Sequence, residues 1–129
     1  MRTLDTWHEM VASGDSSRFD EILAEDCVFL SPVVHTPQLG RDISKLYLTA
    51  ALHVFNNGFR YVKEVVNDTH AVLEFECEVD GIVVNGVDIM TFDGDGKISE
   101  FKVMVRPLKG VNMLHAKMKA MLESLAEQQ

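Results

Sequence analysis

Cysteine is scarce in this sequence, with only Cys27 and Cys77 among 129 residues. They have neither C-x-x-C spacing nor a partnering histidine pattern, so the sequence indicates no disulfide framework and no metal site. We interpret both as buried free thiols, because unpaired cysteine packs like a small apolar residue. Long apolar runs are also lacking: no stretch reaches the roughly 18 residues of a membrane-spanning helix, and the amino-terminal MRTLDTWHEM contains no apolar signal region. We therefore expect a cytoplasmic protein with no membrane partner.

Basic residues are few relative to acidic ones: 12 Lys and Arg stand against 20 Asp and Glu, a net charge of -8 at pH 7. This charge repels phosphate backbones and no basic cluster stands out, which argues against a nucleic-acid partner. No G-x-G-x-x-G or phosphate loop occurs, so no cofactor is predicted. A composition of 47% hydrophobic and 25% charged residues is typical of a globular chain. We predict a single domain over residues 1–129.

The spacing of apolar residues divides the chain into helical and strand-rich parts. It predicts two short helices before a strand at 27–31, a third helix that Gly58 ends, and strands from 59 to 106. A last amphipathic helix follows Pro107. Helices followed by hairpin-linked strands are typical of α+β proteins, in which the helices cover one face of an antiparallel sheet. We expect such a sheet to curve around an apolar pocket.

The dipeptide Asp80-Gly81 lies between two β-rich runs and predicts a two-residue type I′ hairpin. That turn sets Leu73 opposite Asp88 and Phe75 opposite Gly86, and opposed residues share a face. Because Leu73 and Phe75 belong to the apolar row of their strand, Asp88 is predicted to point inward. Gly86 is expected to leave a gap or permit a bulge that helps to open a cavity. The next turn keeps this parity and brings further residues inside: Met90, Phe92, Phe101, Val103 and Val105.

The hairpin around residues 67–69 admits two registers. A two-residue loop buries Arg60 and Glu64, whereas a three-residue loop buries Tyr61 and Val65. We favour the three-residue loop.

The opposite, outer face of the sheet mixes charged with apolar side chains. Its predicted members are Glu74, Glu76, Glu78, Val83, Val87, Ile89, Lys102, Met104 and Arg106. A face of this mixed kind is often an interface, so we predict a homodimer through the outer face. The alternative is a solvated face on a monomer, since scattered surface hydrophobes are normal.

The order of elements and several short motifs resemble those of a known superfamily. The most specific motif is GVDIMTFDGDGKISEF at 86–101, supported by ASGD at 12–15, AEDCVF at 24–29 and SPVVHTPQLGR at 31–41. On these residues the chain resembles, nearly end to end, the nuclear transport factor 2-like superfamily, which includes ketosteroid isomerases and snoaL-like polyketide cyclases. The resemblance implies one snoaL-like domain with a cone-shaped, cystatin-like α+β roll and a C-terminal helix. This fold hosts several enzyme classes and pure binding modules, so membership alone defines no reaction.

The resemblance also assigns positions in a site. Asp88 looks like the aspartic acid that ketosteroid isomerases keep protonated to donate a hydrogen bond to an enolate oxygen. Tyr47 falls at their supporting tyrosine, Trp7 at their oxyanion-hole tyrosine and Ser31 at their general-base aspartate. A serine hydroxyl does not accept a proton from a carbon acid near neutral pH without its own base, which disfavours ordinary steroid isomerisation.

Asp88 is also the strongest catalytic candidate on the residues alone. A carboxyl group in an apolar row loses hydration in its charged form, so its pKa is predicted to rise and it can donate or shuttle a proton. The alternative is a structural hydrogen bond to Tyr47 or Trp7. His35, held between two prolines, is the candidate base because histidine changes charge near neutral pH. Its alternative is a loop histidine bonded to the backbone.

The remaining site candidates are side chains of the predicted pocket. They are Trp7, Ser31, Val33, Tyr47, Phe75, Met90, Phe101 and Val103. Apolar rows of this kind are also compatible with a plain core. Two functions follow: an enzyme that transfers protons on a small apolar carbonyl compound, of the isomerase, cyclase or dehydratase type, or a non-catalytic ligand-binding or accessory dimer. We favour the enzyme.

Overall fold

The computed structural model describes residues 1–127, which form four helices and six strands. The helices are α1 (Arg2–Ser13), α2 (Phe19–Ile22), α3 (Arg41–Val54) and α4 (Leu108–Glu127). The strands are β1 (Leu23–Leu30), β2 (Gln38–Leu39), β3 (Arg60–Val66), β4 (His70–Val79), β5 (Ile82–Phe92) and β6 (Ile98–Arg106). The predicted α+β class is confirmed.

The six strands form one curved sheet in the order β2-β1-β6-β5-β4-β3. All neighbours are antiparallel except β1 and β6, whose parallel pairing joins Phe29 to Phe101. The expectation of a wholly antiparallel sheet is therefore wrong at this one pair. These two strands are connected through α3 and four other strands rather than by a tight turn, so local turn chemistry does not set their relative direction.

The hairpin between β4 and β5 has the predicted turn and register. Asp80 and Gly81 both have positive φ, 52° and 78°, as a type I′ turn requires. Leu73 pairs with Asp88 along the ladder. The side chain of Asp88 therefore points inward and is 6% exposed.

The hairpin between β3 and β4 differs from the prediction. Near its turn Val66 pairs with Ala71, which sets Glu64 opposite Leu73 and leaves Val65 70% exposed. Farther along, an irregularity between Tyr61 and Lys63 shifts the register, so that Tyr61 pairs with Phe75. The favoured three-residue loop, which was predicted to bury Val65, is therefore wrong. Tyr61 still faces inward because one extra residue in a strand moves the following side chains to the other face.

The gap expected beside Gly86 is filled. The ring of Phe75 lies over this glycine, and a Cβ added at position 86 would also lie 2.7 Å from the carbonyl oxygen of Met104. Phe75 is 1% exposed. Because Gly86 has no side chain, the ring of Phe75 packs directly against the backbone of β5, and no cavity remains at this position.

The helices α1, α2 and α3 cover the inner face of the sheet. Their contribution to the core includes Trp7, Phe19 and Leu48, which pack with Phe101. Both cysteines are buried and free, as predicted, and burial raises the pKa of each thiol to about 11. Among residues 1–127, no helix has the length and apolar character needed to cross a membrane.

Candidate functional site

A cavity of about 700 Å³ opens between α1, α3 and the inner face of the sheet. Its walls are mostly apolar, and its polar side chains come from α1, the end of α3, β3 and β5. The apolar lining includes Trp7, Leu48, Leu52, Phe59, Phe75, Phe101 and Val103. The polar lining includes His8, Ser13, His53, Asn56, Arg60, Tyr61 and Asp88. A cavity of this size and composition suits a small, largely apolar molecule with a few polar atoms.

One hydrogen-bonded chain of side chains links three elements across this cavity. The Nε1–H of Trp7 donates to the hydroxyl oxygen of Tyr61 at 2.9 Å. The hydroxyl of Tyr61 in turn donates to Oδ2 of Asp88 at 2.6 Å. The partner of Asp88 is thus Tyr61, which the bulge in β3 turns inward, and not Tyr47 or Trp7, the partners named in the structural alternative.

The environment of Asp88 favours its neutral form. Burial raises the pKa of this carboxyl to about 7, and the hydrogen bond from Tyr61 limits the rise. Burial, followed by the nearby Asp88 charge, raises the pKa of Tyr61 well above its ordinary value, so the phenol remains a donor. Near neutral pH the carboxyl therefore exists in both protonation states, which is the condition for an acid that must also recover its proton.

The two oxygens of Asp88 have different surroundings. Oδ2 accepts a hydrogen bond from the hydroxyl of Tyr61. Oδ1 has no hydrogen-bond partner within residues 1–127, and this atom is not fully buried. Asp88 itself lines the cavity. Because Tyr61 donates to Oδ2, the proton of the neutral carboxyl belongs on Oδ1. Oδ1 is therefore the carboxyl oxygen that remains free for a ligand in the cavity that Asp88 lines.

A second polar pair lies beside Tyr61. Nε2 of His8 is 2.8 Å from Oε1 of Glu64, and the ring of His8 contacts that of Tyr61 edge-on with centroids 5.6 Å apart. His8, Glu64 and Tyr61 were not among the predicted site residues. Tyr61 had a signal in the sequence, as an inward residue in one register of its hairpin, but His8 and Glu64 meet only through the tertiary fold.

The structure separates the predicted pocket residues into three groups. Trp7, Phe75, Phe101 and Val103 line the cavity with Asp88. Ser31, Val33 and Tyr47 line a smaller recess of about 200 Å³ under α4, which shares Val103 with the main cavity. Met90 is fully buried in the core cluster, outside the lining of both.

The loop after β1 contains both Ser31 and His35, and neither lines the cavity with Asp88. The hydroxyl oxygen of Ser31 accepts the backbone N–H groups of Val33 and Val34 at 3.1 and 3.2 Å, so it holds a turn. His35 is exposed on this loop and is absent from the lining of the main cavity. Within the described part of the chain, no three His, Cys, Asp or Glu side chains are arranged to bind a metal ion.

Fold and cavity together define a small α+β protein that encloses an apolar pocket with one buried carboxyl group. Residues 4–101 match the family described as the SnoaL-like domain. The chain therefore belongs to the SnoaL-like domain family of the nuclear transport factor 2-like superfamily. The predicted resemblance is confirmed. No curated protein matches the sequence.

Several solved structures share this fold. A structure described as a steroid delta-isomerase from Pseudomonas aeruginosa is 35% identical, with a TM-score of 0.93 over 98% of this chain and 93% of that one. An uncharacterised bacterial protein with a cystatin-like fold from Silicibacter pomeroyi is 36% identical, with a TM-score of 0.86 over 92% and 83% of the two chains. The epoxide hydrolase/cyclase-like enzyme SalBIII, 17% identical with a TM-score of 0.66 over 81% and 88%, shares the fold alone.

Proposed function

We propose that this protein is an enzyme that transfers protons on a small, largely apolar carbonyl compound, in a reaction of the isomerase, cyclase or dehydratase type. The observation that carries the proposal is the Asp88 carboxyl, buried at the wall of an apolar cavity with a pKa raised to about 7. Apolar walls bind the hydrocarbon part of such a compound, and the carboxyl supplies the polar contact that orients it.

Asp88 acts in this proposal as the acid. The protonated Oδ1 donates a hydrogen bond to the substrate's carbonyl oxygen, and the bond strengthens as negative charge develops there in the transition state. The bond from Tyr61 to Oδ2 holds the carboxyl in one orientation. Phe75, Phe101 and Val103 exclude water around the reacting oxygen, which makes the electrostatic contact stronger than it is in water.

The comparison with the Pseudomonas aeruginosa protein supports an isomerase. Moving a C=C bond into conjugation with a carbonyl requires an acid at the oxygen, which is the role of Asp88. The first substrate to test is therefore a β,γ-unsaturated ketone, with a Δ5-3-ketosteroid as the polycyclic case. Conversion to the conjugated enone is followed by ultraviolet absorbance.

Replacement of Asp88 tests the acid directly. Asp88→Asn keeps an acceptor for the Tyr61 hydroxyl but removes the acidic proton, so we expect kcat to fall about 100-fold or more while the fold persists. The matched control is Asp68→Asn, which makes the same charge change in the exposed turn between β3 and β4. Turnover that survives unchanged in Asp88→Asn contradicts the proposal.

A binding module without catalysis is the alternative, and the turn made by Ser31 favours it because no carboxylate occupies that position. The single tryptophan of the chain, Trp7, lines the cavity and reports on ligand entry through its fluorescence. Saturable quenching by ketones that the protein never converts would favour the binding module over the enzyme.

We also propose that the protein forms a homodimer through the outer sheet face and acts in the cytoplasm. Val83 and Met104 on this face are 61% and 50% exposed. Ion pairs such as Arg60 with Glu76 and Lys63 with Glu74 give the same face charges of both signs. A two-fold interface joins the same surface of two chains, and a face with apolar side chains and charges of both signs supplies the contacts that it needs. The buried free thiols are consistent with a reducing compartment.

A further inference from the structure

We infer that His8, oriented by Glu64, is the base of this site and accepts the proton that leaves the substrate's carbon. The inference rests on the proposed function and deepens it. Asp88 donates to the carbonyl oxygen and cannot at the same moment take a proton from a carbon. A second group in the cavity must do so.

Few side chains that line the cavity can fill this role. Besides Asp88, the titratable lining residues in the described chain are His8, His53, Arg60 and Tyr61. The guanidinium of Arg60 is a cation that pairs with Glu76 on the outer face, and Tyr61 already donates its only proton to Asp88. His53 is exposed near the end of α3 and forms no ion pair with residues 1–127. His8 is half-buried and held in place.

The contact with Glu64 selects the useful form of His8. Oε1 of Glu64 lies 2.8 Å from Nε2 of His8, and a carboxylate oxygen only accepts hydrogen bonds, so this contact favours the tautomer that carries its proton on Nε2. In the neutral imidazole the lone pair is then on Nδ1, which has no hydrogen-bond partner within residues 1–127. A carboxylate behind an imidazole also stabilises the imidazolium that forms when Nδ1 takes a proton.

The bulge in β3 is what brings this pair to the cavity. In a regular strand Tyr61 and Glu64 point to opposite faces, because they are three residues apart. The register shift between Tyr61 and Lys63 places both on the inner face, opposite Phe75 and Leu73. Bulges commonly re-aim side chains beside active sites. Here the bulge supplies a hydroxyl to Asp88 and a carboxylate to His8 from one strand.

The reaction balances without any further reagent. Nδ1 of His8 takes a proton from the carbon next to the carbonyl, and the C–H electron pair becomes a C=C bond of the enol. The carbonyl π pair moves to the oxygen, which takes the proton from Oδ1 of Asp88. In the second half the oxygen returns its proton to Asp88, and the imidazolium delivers its own to the γ-carbon.

Two measurements test the base. Long-range ¹H–¹⁵N spectra of the unliganded protein report the tautomer of His8. We expect protonated Nε2 with bare Nδ1, a pattern lost in Glu64→Met, which removes the acceptor oxygen. In the enone assay, His8→Gln should lower kcat about 100-fold with KM within about threefold, and Glu64→Gln should lower kcat about tenfold. Both positions are partly exposed, so circular dichroism should match the wild type. His70→Gln, at the exposed first residue of β4 and outside the cavity lining, serves as the matched histidine control, and His53→Gln tests the other lining histidine.

The outcomes separate this inference from the proposed function. If Asp88→Asn loses turnover but His8→Gln keeps it, the acid stands and the base is wrong. If His53→Gln loses turnover instead, or if His8 is protonated on Nδ1, the assignment to His8 is overturned. A wild type that converts no β,γ-unsaturated ketone overturns both. Recovery of His8→Ala turnover by added imidazole, together with the expected tautomer, supports the base.

Discussion

At the residue scale, the burial that makes Asp88 an acid also weakens the folded state near neutral pH. In the unfolded chain the carboxyl has its ordinary pKa of 3.8, and in the folded chain the pKa is raised to about 7. Between these values the unfolded state releases its proton first, so the free energy of unfolding falls as pH rises. Above the folded value the loss is complete and stays constant.

This linkage predicts a stability difference that depends on pH. The side chain of Asn does not ionise, so Asp88→Asn escapes the loss of stability that the wild type suffers as pH rises. The free energy of unfolding of the variant minus that of the wild type should therefore increase by about 4 kcal/mol from pH 4 to pH 8. Urea unfolding of both proteins at several pH values measures the difference, and ionisations common to both cancel. Asp68→Asn should show no such trend. If the difference in free energy of unfolding between Asp88→Asn and the wild type does not change with pH, the Asp88 carboxyl of the wild type is solvated.

At the element scale, the pairing of β4 with β5 depends on a glycine. Gly86→Ala places a methyl group against the ring of Phe75 and the carbonyl oxygen of Met104. The ring must move, and we expect a destabilisation of about 1 to 3 kcal/mol in urea unfolding. Gly94→Ala is the matched control, since nothing lies within 4 Å of its added Cβ and its φ is not positive. Equal stability of the two variants would show that Phe75 does not lie over Gly86.

The ring that Gly86 admits also forms part of the cavity wall. Phe75 stacks on Phe59 with centroids 5.1 Å apart, and Phe59 in turn meets Tyr61 edge-on. A displaced Phe75 therefore disturbs the tyrosine that holds Asp88. The sheet and the site are connected through one aromatic cluster, so Gly86→Ala should also alter ligand-dependent quenching of Trp7 fluorescence.

At the scale of the whole molecule, the proposed dimer depends on the apolar side chains of the outer face. A charge at the centre of an apolar interface is buried without a partner when two chains associate, which is strongly unfavourable. Met104→Glu and Val83→Glu should therefore convert a dimer to a monomer in light scattering coupled to size-exclusion chromatography. Leu39→Glu changes a residue that is 74% exposed on edge strand β2 and serves as the control. A wild type that already has the mass of one chain contradicts the dimer.

Local patterns predicted those parts of this protein whose causes are local. The type I′ turn at Asp80-Gly81 sets the ladder between β4 and β5, and period-two alternation then determines that Asp88 points inward. The α+β class follows from the order of helices and hairpins. Where a turn was ambiguous, as between β3 and β4, the prediction was wrong at Val65, because the residues at 67–69 do not by themselves determine the loop length. Tyr61 points inward through a bulge, and a bulge carries no firm signal in a single sequence.

The sequence by itself thus determined the fold class, one hairpin register and the inward carboxyl. The tertiary structure alone decided what surrounds that carboxyl. Trp7 and Tyr61 are 54 residues apart and Tyr61 and Asp88 are 27 apart, yet they share hydrogen bonds. The pairing of His8 with Glu64, and the separation of Ser31 from the main cavity, are likewise set by how distant elements pack. Turn chemistry acts over a few neighbouring residues, whereas desolvation and side-chain partners depend on every element that reaches the same space.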